Sequence, residues 1–326
     1  MPVCTLCQLS LESWLCADLG GLLYLARERA NLLLLQASSS GLPTSNKRVE
    51  GVTASVLPQI TPVSTEEILE RYLYQPELVP TDCQTILKMQ WRPGLDSVDQ
   101  NKIDSIRHHP RFRAFLTLNE SSMLLLNANS DVSHSLDMSV ASARTYKSLL
   151  EVAAQQQQTP GDSSTMLVPL AFFCSQHRDY RDDVNGNASE LAMSLLLQLI
   201  DRYGDFDPTA HLPALVEELD PTDMTSVLAA FRRLVSFLPS NVIVVLIIDG
   251  LRFFDHPAER RQGLLQVVQE LVAAHRSHES EATLKFLFAN PTQPNLIAHL
   301  FTDDEALRIP KSPAISGPGH FGVVTR

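Results

Sequence analysis

An unbroken apolar run, VIVVLIID from Val242 to Asp249, constrains this chain more than any other feature. β-branched and aliphatic residues without polar alternation suit a parallel strand covered by helices on both faces, and in such sheets ligands gather beyond the carboxyl ends of the strands. Asp249 stands at that end, followed by Gly250, Leu251, Arg252 and Phe253.

Weaker runs of the same kind alternate with helical periodicity on either side. Strands are predicted over Ser122 to Leu126, Met166 to Cys174 and Thr283 to Phe288. Helices are predicted over Met138 to Gln155, Ala188 to Tyr203, Thr222 to Phe237, Pro257 to His275 and Pro294 to Leu300, with short leading helices from Thr65 toward Tyr74, over Thr81 to Met89 and from Ile103 toward His109. Strands separated by helices of that length imply right-handed crossovers and an α/β fold, a parallel sheet flanked by helices. A chain of 326 residues exceeds one such core, so four parts are expected. Residues 1–36 form an N-terminal helical segment with Leu and Trp at helical spacing; residues 37–65 form a Ser/Thr/Pro-rich linker; residues 66–309 form the α/β domain; residues 310–326 form a flexible tail.

Composition narrows the chemistry. A formal net charge of −11 supplies no basic field for a nucleic-acid backbone, so no nucleic-acid partner is expected. The Leu-rich stretch from Leu6 to Leu35 is broken by Glu12, Asp18, Arg27, Glu28 and Arg29, which hydrocarbon would not accept, so no membrane partner is expected either. Met1 to Ser10 lacks the basic start of a secretory signal, and the odd set Cys4, Cys7, Cys16, Cys83 and Cys174 has no disulfide-framework spacing. A cytoplasmic chain follows as the expectation. Cys4-x-x-Cys7 has no second ligand pair, and His275 with His278 sits at a charged helix end, so no metal is expected at either place. Asp179, Asp182 and Asp183, interleaved with Arg178 and Arg181, read as a solvated, salt-bridged loop.

The segments HHPRFRAFLTLNESSMLLLN, MLVPLAFFCSQH, ASELAMSLLLQLIDRYG, VIVVLIIDGL and LKFLFANP together resemble the core of fungal NACHT or nephrocystin-like proteins, members of the STAND class of P-loop NTPases. The resemblance covers roughly residues 85 to 305 and implies a P-loop NTPase-like three-layer core. It also implies a phosphate loop of the form G-x-x-x-x-G-K-S/T after the first strand, in which glycine amides wrap the phosphates, the Lys neutralises them and the hydroxyl holds magnesium. Aligning Asn127 with the first Gly puts Val132, Ser133 and His134 where Gly, Lys and Ser/Thr belong, and none of the four matches. Loss of the Lys alone removes a charge-assisted contact of roughly 1.5–3 kcal/mol. Where the family reads D-A-L-D-E, this chain keeps Asp249 and places Arg252 and Phe253 at the acidic positions. After the fourth strand, Asn290 stands where a phosphate-sensing Arg belongs.

Phosphoryl transfer depends almost wholly on charge stabilisation and positioning. Three departures at three positions therefore point to a non-catalytic regulatory or interaction module, with protein partners and no cofactor. The alternative is an irregular nucleotide site for ATP or ADP with magnesium, in which Asn127, Asn129, Ser130, His134 and Asn290 supply phosphate contacts and Asp249 is the magnesium candidate. Taken alone, Asp249 could also do no more than cap the turn that follows it.

Overall fold

The structure, a computed structural model, describes residues 61–91, 98–128, 136–158, 165–277, 279–291 and 296–310. The segment 1–36, the tail beyond 310, His278 and most of the linker lie outside the described residues.

Several helices begin where a side chain can satisfy an orphan backbone N–H. α1 (Thr65–Arg71) is capped by the Ser64 hydroxyl, which accepts from Glu67 N–H at 3.1 Å. α2 (Leu78–Met89), α3 (Gln100–His108) and α4 (Pro110–Thr117) follow, the last with proline in its first turn, where the missing N–H costs nothing. Strand β1 (Ser122–Asn127) leads to the long helix α5 (Leu136–Gln158) and then β2 (Met166–Phe173). α6 (Ala188–Tyr203) is capped by Asn187 and ends at Gly204, whose φ of 69° is the left-handed stop expected of glycine. α7 (Leu212–Glu218), α8 (Met224–Ser236), β3 (Val242–Asp249), α9 (Ala258–Arg276), β4 (Thr283–Asn290) and β5 (Ala306–Arg308) complete the described order.

The strands form one parallel sheet in the order β2-β3-β4-β1-β5. Side-chain alternation divides the core in two. Val242, Val244, Leu246 and Ile248 face the layer of α6, α8 and α9, whereas Ile243, Val245 and Ile247 face α2 to α5. A strand buried on both faces needs an uninterrupted apolar sequence, which is why β3 reads as it does. The chain leaving β1 passes to the α5 face, whereas the chain leaving β4 returns to β5 across the other face, where Ile297 is buried. The switch in winding therefore lies between β1 and β4, whose ends pair Asn127 with Asn290.

Most predicted elements are present with shifted ends. α5 runs on through the glutamine tract to Gln158, and β4 extends to Asn290. One expectation is corrected here: within Pro294 to Leu300 the described residues hold only a 3-10 turn, Ala298–Leu300. α7 and β5 were not foreseen because each is too short to show a period. Lys285 lies fully buried within β4, its ammonium donating to the carbonyls of Phe115 at 2.7 Å, Leu118 at 2.6 Å and Glu120 at 3.3 Å. It fastens the end of α4 to the sheet. No helix among the described residues is long and apolar enough to cross a membrane.

Candidate functional site

The carboxyl ends of β1, β2, β3 and β4 bring together Asn127, Ser175, Asp249 and Asn290, and α5 faces them across its first turns. Asp249 has no solvent exposure. Both of its carboxylate oxygens are engaged by that helix: Ser139 Oγ donates to Oδ2 at 2.6 Å and Ser142 Oγ to Oδ1 at 3.0 Å. Ser139 and Ser142 are one helical turn apart, so their hydroxyls lie on one face. Ser175 Oγ stands 3.4 Å from Ser139 Oγ and closes the group. Burial pushes the Asp249 carboxyl up to about 6, while the hydroxyl hydrogen bonds pull the other way.

The residues after Asp249 form a tight corner. Gly250 has φ 72°, and a Cβ there would come within 3.0 Å of the Phe253 ring and 3.1 Å of Ser175 N. Both the torsion and the close approach require glycine. The 3-10 turn Leu251–Phe254 starts from Gly250 without a side-chain cap, so Asp249 does not serve as the cap considered for it. Asn290 stitches this corner to its neighbours. Its Oδ1 accepts from Arg252 N–H at 3.2 Å, and its carbonyl accepts from Ala128 N–H at 3.1 Å. Asn127 is buried, its carbonyl accepting from Ile309 N–H at 2.8 Å, and its Oδ1 has no partner among the described residues. Asn129, Ser130 and His134 lie outside the described residues. The structure thus gathers Asn127, Asp249 and Asn290 and gives two of the three a structural occupation.

The loop after β2 lines the same edge and departs from its reading as a salt-bridged surface. Among the described residues its arginines make no ion pair with its aspartates. Asp179 Oδ1 accepts backbone N–H groups of Arg181 at 3.0 Å and Asp182 at 3.4 Å, closing a local turn. Asp183 instead meets buried His177 Nδ1 at 2.8 Å, while Asp82 on α2 meets Nε2 at 2.9 Å. Burial lowers the His177 pKa, but the two carboxylates outweigh it and the net shift is upward, which favours the protonated ring, the form with a donor for each carboxylate. Arg260 on α9 fastens this loop from below, donating to the carbonyls of His177, of Arg178 at 3.0 Å and of Phe253 at 2.9 Å.

Among the described residues no group of three or more His, Cys, Asp or Glu could hold a metal ion. A shallow apolar groove between α7 and α8, lined by Leu215, Leu219, Ala230 and Leu234, shares no residue with the surroundings of Asp249. No family model matches the chain, and no curated protein matches it.

Sequence reasoning missed Ser139, Ser142 and His177. The first two had a signal: Ser139, Ser142 and Thr145 recur every third residue along one helix. That spacing marks a small polar stripe which must face a polar group if it is buried. His177 had none, because Asp82 reaches it from a distant helix and Asp183 only through the fold of their shared loop.

Proposed function

We infer that this domain is a non-catalytic, degenerate STAND/NACHT-like module that acts by protein contact rather than by turning over nucleotide. One observation supports it above the others: Asp249, the only retained acid of the family's magnesium motif in this reading, is wholly buried with both oxygens taken up by Ser139 and Ser142. A magnesium ion bound through water needs a hydrated carboxylate. Freeing this one would strand two buried hydroxyls. A cytoplasmic setting belongs to the same reading and is supported by Cys83 and Cys174, which stay as buried free thiols.

A second reading has its own support. Ser139 lies in the first turn of the helix that follows β1, and a hydroxyl beside an acid at the end of β3 is also what an unloaded magnesium site would hold. Thermal melting of the full chain with Mg-ATP, Mg-ADP and Mg-GTP separates the two. A ligand at 100 times its Kd adds about 2.7 kcal/mol, or roughly 5–10 °C in a domain of this size. The interaction module shows no such rise with any of the three nucleotides. A saturable rise that Asp249→Asn abolishes would replace it with an irregular nucleotide switch.

A further inference from the structure

The turn after β3 and the loop after β2 carry two arginines that meet on one aromatic ring. Arg178 Cζ lies 4.1 Å from the centroid of Phe253, and Arg252 Cζ lies 5.1 Å from the same centroid. Like charges so placed repel, and neither guanidinium has a carboxylate within ion-pair distance among the described residues. Asp255, three residues beyond Arg252, does not close on it. Arg178 is held in place by its Nε, which donates to Ser175 O at 2.8 Å, while its two terminal nitrogens make no hydrogen bond among the described residues. Phe253 is held by the Gly250 corner and by Arg260, which bonds its carbonyl. The ring contact and the Ser175 tether fix the Arg178 fork, and the same ring holds the Arg252 guanidinium beside it, which lowers the ordering cost of binding.

We propose that Arg178 and Arg252, stacked on Phe253, form a binding site for a phosphate monoester on a partner protein. The charge count favours that ligand. Two guanidinium forks match the nearly dianionic phosphate, with its three acceptor oxygens, better than a single carboxylate. The setting favours a macromolecular source over a free metabolite. Small ligands want an enclosing cleft, whereas here Arg178 is exposed, Phe253 and Arg252 are half-buried, and the adjoining loop presents Tyr180 at 44% and Val184 at 75% exposure. Arginine and tyrosine together are the composition of a contact surface. The site does not use Asp249, so it stands whether or not nucleotide binds nearby.

The test is fluorescence anisotropy of the full chain with an array of phosphoserine peptides of varied flanking sequence, each beside its unphosphorylated twin, with inorganic phosphate as competitor. The expected result is saturable binding of phosphopeptides at least tenfold tighter than their twins, with millimolar inorganic phosphate competing weakly. Arg178→Ala and Arg252→Ala should each weaken binding by tenfold or more, and Arg252→Lys should not restore it, because an ammonium neither forks nor stacks in the same way. Melting temperatures of the variants should stay near that of the parent. Equal binding of phosphorylated and plain peptides, or binding that neither substitution moves in variants that melt normally, would overturn the proposal. Inorganic phosphate binding as tightly as the peptides would overturn its assignment to a protein partner.

Discussion

At the residue scale, the environment of Asp249 sets the sign of a measurable effect. Its carboxyl is raised from 3.8 to about 6 in the folded chain. The folded state thus holds a proton more tightly than the unfolded state. The stability tied to this group is fully present below the unfolded value and lost as pH rises through about 6. Two pKa units correspond to about 3 kcal/mol as an upper bound. Asp249→Asn keeps the shape and can still bond both serines, so urea unfolding at pH 7.5 should find it at least as stable as the parent, with the gap closing toward pH 4. A loss above about 2 kcal/mol at pH 7.5 would mean that Ser139 and Ser142 hold the charge itself. Asp249 was legible in sequence as an acid at a strand end. Its occupation was not, because Ser139 and Ser142 approach from more than a hundred residues away.

At the element scale, β2 is an edge strand of the described sheet, and side chains cover several of its outward backbone groups. Leu167 N–H donates to Gln156 Oε1 at 3.1 Å; Pro169 has no N–H to expose; Ala171 donates to Gln198 Oε1 at 3.0 Å and accepts from Gln198 Nε2 at 2.9 Å. A bare edge would template pairing with another chain, and a proline is tolerated only at such a position. Gln198→Leu preserves volume but leaves a buried N–H and a buried carbonyl without partners. We expect it to lower the unfolding free energy by roughly 2–4 kcal/mol and to raise the tendency to aggregate on heating. A loss below 1 kcal/mol in chemical denaturation would show that Gln198 does not seal the edge. The sequence announces this strand by its apolar run, and Pro169 already hints at its place. That the polar Gln198 of a Leu-rich helix is its cover follows only from how α6 is laid on the sheet.

At the scale of the whole molecule, His177 ties three separate elements together: Asp82 on α2, Asp183 in the loop after β2 and, through its carbonyl, Arg260 on α9. Its pKa is raised in the folded chain, so the stability it contributes is complete below the unfolded value of about 6.5 and disappears as pH rises through the folded value. Unfolding free energy measured from pH 6 to 9 should therefore fall for the parent and fall less for His177→Gln, which cannot gain or lose the proton. Parallel pH profiles for the two proteins would remove His177 as the cause. The same clasp holds the loop that carries Arg178.

What the sequence determined by itself was the fold class and the order of the strands and longer helices, because burial on both faces writes continuous apolar runs and burial on one face writes a helical period. It also showed that no G-x-x-x-x-G-K-S/T pattern follows the first strand, since such a pattern lies in contiguous residues. Tertiary structure alone decided how the strands are arranged within the sheet, the two serines on Asp249, the histidine between two carboxylates and the paired arginines on Phe253. Each joins residues distant in the chain through a packing geometry of helices on a sheet, and no local pattern encodes which distant side chain arrives.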